Sequence, residues 1–201
     1  VAMKYIGVLV NRAAQVVLGQ PDVSDDPKDW AGKKIIIPRP PHTAVSLIRM
    51  TLIESGYEKV DADGLVWASD AGKVRLVPVV AGSELSALLS GQADLAVVLE
   101  PQTSNGVNEG LEIKISFPEK FGPFFFTSFA VLQETIETQP GRVQSFANAI
   151  TKAMRYGHED PAGAAEVAVK RYSDSDPDVM RSAAKRIISQ GAYPESLVVS
   201  K

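Results

Sequence analysis

Three short stretches carry the residue types that recognise small molecules. In "PRPPHTA", Arg39, His42, Thr43 and Ala44 follow directly on the apolar run Ile35-Ile36-Ile37. A strand that gives way to a helix there would present unpaired N–H groups and a partial positive charge to an anionic head group. The alternative is that Thr43 simply caps its own helix. Arg39 either neutralises such an anion or points to solvent. His42 can donate to a ligand, but without a paired Asp or Ser it does not read as a base. In "LEPQ", Glu100 ends an apolar strand before a proline. Its carboxylate can receive an ammonium, amide or ring N–H, or it can cap the short helix that follows. "GPFFFTSF" sets three aromatics in succession; one or two must fill a core, and the remaining face, with Phe124 as candidate, can wall a pocket.

The absent chemistry narrows the reading. The 201 residues include no cysteine, which excludes disulfides, thiolate catalysis and Cys-ligated zinc, and the two histidines, His42 and His158, are far apart. There is no G-x-G-x-x-G, Walker A, G-x-S-x-G or H-E-x-x-H word. Pairs such as Asp25-Asp26 lie in a polar connector and read as solvated charge. No catalytic set is assembled, so binding is favoured over catalysis. No cofactor is implied. The net charge of -3 arises from 21 basic and 24 acidic residues that are interspersed, which makes nucleic acid an unsuitable partner. With 45% apolar and 22% charged residues, and no run approaching a membrane span, the composition is that of a soluble globular protein.

The elements that must position these residues follow from periodicity. Short apolar, β-branched runs predict strands at Tyr5 to Val10, Gln15 to Leu18, Lys34 to Ile37, Val74 to Val80, Leu95 to Leu99, Leu111 to Ser116 and Phe124 to Leu132. Helical periods predict helices over Ala44 to Glu54, with Gly56 as C-cap, and over Ser83 to Leu89, with Ser83 as a candidate N-cap. This order predicts an α/β lobe with a parallel sheet covered by helices on both faces. The three turns "PRPPHTA", "PVVAGSELSALLSG" and "VVLEPQTSNG" then fall at the C-terminal ends of strands, where ligands bind in open α/β sheets. After Gln133 the text turns helical, over Arg142 to Tyr156, Ala162 to Tyr172 and Pro177 to Gln190, and a further strand is suggested only in the terminal "SLVVSK". Asp160-Pro161 and Asp176-Pro177 are the expected helix stops and caps. Residues 1–25 are read as crossover strands and connector, 26–133 as the ligand-binding lobe, and 134–201 as a helical segment.

At these turns the chain resembles the substrate-binding proteins of ABC importers for nitrate, sulfonates, taurine and the pyrimidine precursor of thiamine. The matching words are "DPKDWAGKKIIIPRPPHT", "VRLVPVVAGSELSALLSGQADLAVVLEP" and "GPFFFTSFAVLQETIETQPGRVQSFANAITKAMRYGHEDPAGAAEVAVKRY", in order and together spanning nearly all of Asp26 to Tyr172. The resemblance implies a type II periplasmic-binding fold that closes on a small ligand, an ABC permease as partner and a periplasmic or extracytoplasmic location. It places second-lobe contacts on His42, Thr43 and Ala44, on Gly82 and Ser83, and on Glu100. Pro40-Pro41 departs from the family's hydroxyl-rich turn and removes N–H donors. Implied, then, is a protein that binds a small polar or anionic solute, sulfonate, nitrate or pyrimidine-like. The alternatives are an enzyme on the same scaffold, desulfinase-like or thiamine-precursor-related, and a sensory ligand-binding domain.

The family's opening strands, helices and signal peptide would precede Val1. The apolar faces of the C-terminal helices, which would normally cover the first lobe's sheet, then need another cover. The expectation is either a piece of a longer protein or a homo-oligomer that replaces the missing N-terminal lobe. Light scattering on the 201-residue chain should show an oligomer if no first lobe is encoded upstream; a monodisperse monomer, with intact-mass proof that Val1 is the true start, contradicts both versions.

Overall fold

The computed structural model of the protein describes residues 2–197. The strand suggested in "SLVVSK" therefore lies, from residue 198 onward, outside the described residues. The chain divides into two compact units, one continuous over Gln15–Lys120 and one built from Val1–Ala14 with Phe121–Lys201. The boundary thus falls near residue 120 rather than near 133. β1 (Met3–Val10) pairs antiparallel with β9 (Thr127–Leu132), Met3 opposite Leu132, which draws the segment after 120 into the unit of the N-terminus.

The 15–120 lobe is a seven-stranded sheet. Its strands are β2 (Val16–Gly19), β3 (Lys34–Pro38), β4 (Glu58–Lys59), β5 (Val66–Ser69), β6 (Gly72–Val79), β7 (Leu95–Val98) and β8 (Glu112–Ser116), in the spatial order β4-β5-β6-β3-β7-β2-β8. β3 runs parallel to both β6 and β7, as the near-continuous apolar strands predict. The rest of the sheet is antiparallel. β2 opposes both β7 and β8, and β4-β5-β6 form successive hairpins. Strands β4 and β5 escaped the sequence reading because β4 is only two residues long and exposed, and the β5–β6 turn, Asp70-Ala71, lacks the usual hairpin glycine.

The core explains why Ile35, Ile36 and Ile37 are consecutive. All three are fully buried, so β3 has no solvent face. Ile36 joins Val16, Leu18, Ala96 and Val98 from neighbouring strands and Leu85 and Leu88 from α2 (Glu84–Leu89). Ile35 and Ile37 point to the opposite side of the pleat, where α1 (Thr43–Glu54) packs on β3 with Val45, Leu47, Ile48 and Leu52 buried. Two short helices, α3 (Gln102–Asn108) and α4 (Phe117–Phe121), complete the lobe. At the edge away from the turns, the Lys34 N–H donates to Asp94 Oδ2 at 2.8 Å, and the Asp94 N–H donates to the Lys34 carbonyl at 3.1 Å. Asp94 of the "SGQAD" word thereby fastens the starts of β3 and β7 together. The polar connector is tied down too: Trp30 is fully buried, and its Nε1–H donates to the Ser24 carbonyl at 2.7 Å.

The other unit combines the β1–β9 ribbon with α5 (Gln133–Thr138), α6 (Pro140–Glu159), α7 (Pro161–Arg171) and α8 (Pro177–Ser189). Both expected Asp-Pro caps form: Asp160 accepts from the Gly163 N–H at 2.8 Å, and Asp176 from the N–H groups of Asp178 and Val179 at 2.8 and 3.1 Å. Phe129 on β9 meets Phe146 on α6 edge to face, ring centroids 4.9 Å apart. Arg181 on α8 is ion-paired to Glu166 on α7 at 2.6 Å. Among the described residues no helix is long and apolar enough to cross a membrane.

One glycine governs how closely α3 approaches the sheet. A Cβ on Gly106 would lie 2.5 Å from Leu18 Cδ1, 3.0 Å from Leu85 Cδ1 and 3.2 Å from Leu111 Cδ1, three side chains packed in one buried cluster. Gly106→Val should therefore destabilise by about 1–3 kcal/mol in urea unfolding, the usual cost of overpacking. An unchanged midpoint would show that α3 does not rest on this contact.

Candidate functional site

Because β3, β6 and β7 point the same way, the turns after Pro38, Val79 and Val98 share one edge of the sheet. β2 runs against β7 with Val16 opposite Val98, so its beginning, Gln15, reaches that same edge. A pocket of about 220 Å³ opens there, lined by Gln15, Pro38, His42, Ala44, Ala81, Gly82, Glu84, Val97, Val98, Leu99, Glu100 and Gln102. Apolar and polar residues both line it, as in small-molecule sites generally, though it is smaller than the roughly 300–1,000 Å³ that holds a drug-sized ligand.

The candidates from the sequence separate clearly. His42, Ala44, Gly82 and Glu100 line the pocket. Arg39 does not; it is exposed, and its backbone N–H donates to the Val79 carbonyl at 3.1 Å. Thr43 is exposed and is the first residue of α1 rather than its cap. The cap is His42, whose Nδ1 accepts the Ala44 N–H at 3.1 Å. One of the N–H groups expected to cradle an anion is thus already used. A neutral His42 ring that accepts at Nδ1 carries its proton on Nε2, which makes Nε2–H a donor with no partner among the described residues. Ser83 holds the N-cap position of α2 without capping; its hydroxyl donates backwards to the Val80 carbonyl at 2.6 Å. Phe124 belongs to the other unit, where its ring lies edge to face with Phe126, centroids 5.6 Å apart, and its N–H donates to the Asn11 carbonyl at 2.7 Å.

Around the pocket the acids are fixed by short bonds. Gly82 has φ +96°, a left-handed turn that suits glycine, and this turn aims its N–H at Glu84 Oε2, 2.8 Å away. The same oxygen accepts from Gln102 Nε2 at 2.9 Å, while Gln102 Oε1 accepts the Leu85 N–H at 2.8 Å. Gln102 therefore does the capping expected of Ser83, reaching α2 from α3. Glu84 Oε1 accepts no hydrogen bond among the described residues. Glu100, also buried, accepts the Ser104 N–H at 3.0 Å through Oε2, so it caps α3 while lining the pocket.

Gln15, Glu84 and Gln102 were missed from sequence. Glu84 stood in the "PVVAGSELSALLSG" turn, and Gln15 opened a predicted strand; only the reversed direction of β2 reveals that its start meets the ends of the parallel strands. Gln15 is 5% exposed, and its Oε1 is buried without a hydrogen-bond partner among the described residues. Among the lining residues there are two carboxylates and neither lysine nor arginine.

Over residues 2–164 the chain matches the family model described as NMT1/THI5 like. No curated protein matches it in sequence. Among solved structures it is similar to the alkanesulfonate-binding protein SsuA of Xanthomonas axonopodis pv. citri bound to MOPS, at 16% identity and TM-score 0.67, over 98% of this chain and 72% of that one. It is similar also to the periplasmic aliphatic sulphonate binding protein SsuA of Escherichia coli, at 13% identity and TM-score 0.70, over 92% and 59%. A third is the periplasmic nitrate-binding protein NrtA of Synechocystis PCC 6803, at 14% identity and TM-score 0.63, over 88% and 47%. The chain thus spans less than two thirds of the length of the last two. At these identities the likeness shows the fold, which is the mixed α/β architecture of periplasmic-type binding proteins.

The cap at the pocket's edge can be checked directly. His42→Ala should cost about 1 kcal/mol in urea unfolding, and His42→Asn, which can cap in the same way, should recover most of it. Equal loss in both variants would show that the Nδ1 bond contributes nothing.

Proposed function

The chain belongs to the NMT1/THI5-like family, and from that membership we infer that it binds a small polar solute for an ABC importer, outside the cytoplasm. The observation that carries this reading is the pocket at the strand-end edge of the 15–120 lobe, where four of the sequence candidates, the buried Glu100 among them, meet a second buried carboxylate, Glu84. The fold of solute-binding proteins supports it, as does the absence of a nucleophile and paired base among the pocket's lining residues. Ligand contacts are assigned to His42, Ala44, Gly82 and Glu100 with Gln15 and Glu84. A role for Arg39, Thr43, Ser83 and Phe124 would require contacts outside this pocket. The partner that this function requires is an ABC permease.

Thermal unfolding against a panel of alkanesulfonates, taurine, nitrate, aminopyrimidines and small amines tests the reading. A solute at 100 times its dissociation constant should stabilise the protein by about 2.7 kcal/mol, a rise in melting temperature of several degrees. No response to any member of the panel would contradict a solute-binding role.

A further inference from the structure

Three side-chain groups of the pocket are left open by the bonds around it, and they are of two kinds. His42 spends Nδ1 on the Ala44 N–H, so its Nε2–H is a donor without a partner among the described residues. Gln15 Oε1 is buried without a hydrogen bond among those residues. Glu84 engages only Oε2, on the Gly82 N–H and Gln102 Nε2, which leaves Oε1 as a second open acceptor. Glu100 is not one of the three, since its carboxylate is engaged on α3. A ligand that answers all three must bring an acceptor and donors together. A carboxylate or sulfonate, all acceptor, suits His42 but leaves Gln15 Oε1 unpaired and adds a negative charge to a pocket that Glu84 lines. An amidinium or ammonium, all donor, suits the two oxygens but has nothing with which to accept from His42. A carboxamide carries both kinds within one planar group and takes no charge out of water.

We propose that the pocket selects an uncharged carboxamide group, its carbonyl oxygen accepting from His42 Nε2–H and its N–H groups donating to Gln15 Oε1 and Glu84 Oε1. This rests on the reading of the pocket as the solute site and specifies the head group that enters it. Two residues hold the discrimination. Gln15 is the specificity-determining acceptor, because its buried oxygen is matched by an amide N–H and not by a carboxylate. His42 sets the opposite limit: a ring that caps α1 through Nδ1 is held in the tautomer that donates from Nε2. Cap and recognition are then two ends of one imidazole.

The test is a ¹H–¹⁵N NMR titration of the full chain with propionamide, sodium propionate and propionamidinium chloride, which share a shape and differ in the head group. Sodium chloride at equal ionic strength is the control. Wild-type protein should show saturable shifts at residues 42–44 and 82–85 with propionamide, at about tenfold higher affinity than with either charged probe, since each of those leaves a group of the pocket unpaired. Gln15→Leu should melt no lower than the empty wild type, yet lose most of the preference for propionamide over propionate. His42→Asn keeps a cap on α1 but has no Nε2–H; it should melt close to wild type and lose most of the preference for propionamide over propionamidinium. A residue that only supports the fold would change the melting temperature and leave these ratios alone. Should a variant fail to fold, the other and the wild-type ranking decide. A charged probe bound as tightly as propionamide in the wild type, no shift with propionamide, or an unchanged ratio in either folded variant would overturn the proposal. If propionamide fails while a member of the thermal panel shifts these residues, only the carboxamide assignment falls; if no solute of either set does, the solute-binding reading falls with it.

Discussion

Everything at the pocket depends on one pairing, that of β2 against β7 with Val16 opposite Val98. A purely parallel sheet would bring only the ends of strands to this edge, and with them only turns and helix starts, whose N–H groups favour anions. Reversing one strand brings a strand's beginning there as well. It sets Gln15, a buried side-chain amide, among residues that would otherwise offer backbone donors. The same pairing requires the close seat of α3 on the sheet, because Leu18 of β2 is what Gly106 approaches.

The backbone donors at the edge are consumed locally, and this sets the pocket's electrostatics. His42 caps α1, Glu84 closes the Gly82 turn and Gln102 caps α2. Each bond stabilises a short element whose terminal N–H would otherwise be unsatisfied. Together they leave few backbone donors open there, so that the polar groups left to the pocket are side chains, the His42 Nε2–H and Glu84 Oε1 among them. Similarity in fold to sulfonate- and nitrate-binding proteins therefore does not fix the sign of the ligand. Fold is shared through the apolar strands, and selectivity through a few rim residues.

The sequence made the lobe's frame legible because its physics is local. Lys34 to Ile37 and Leu95 to Leu99 read as strands, and Ala44 to Glu54 as a helix, from apolar spacing alone. The Asp-Pro caps at Asp160 and Asp176 were equally plain. Strand direction was not, since an apolar run has the same composition either way; hence the mixed sheet, the place of Gln15 and the pairing of β1 with β9 had to come from the structure. Cap identity was legible only in part. His42 is an uncommon capping residue, so Thr43 was the natural choice, and Ser83 held the right position while a glutamine 19 residues later did the work. The two readings left open for Glu100 turn out to be compatible, because its buried carboxylate caps α3 from inside the pocket wall.

The central claim is that this strand-end edge of the 15–120 lobe binds a small polar solute. The most direct measurement is a crystal structure of the protein saturated with whichever member of the solute panel most raises its melting temperature. The account predicts polar ligand atoms at hydrogen-bond distance, roughly 2.7–3.2 Å, from side-chain groups of Gln15, His42 or Glu84. A ligand bound away from the residues that line this pocket would contradict it.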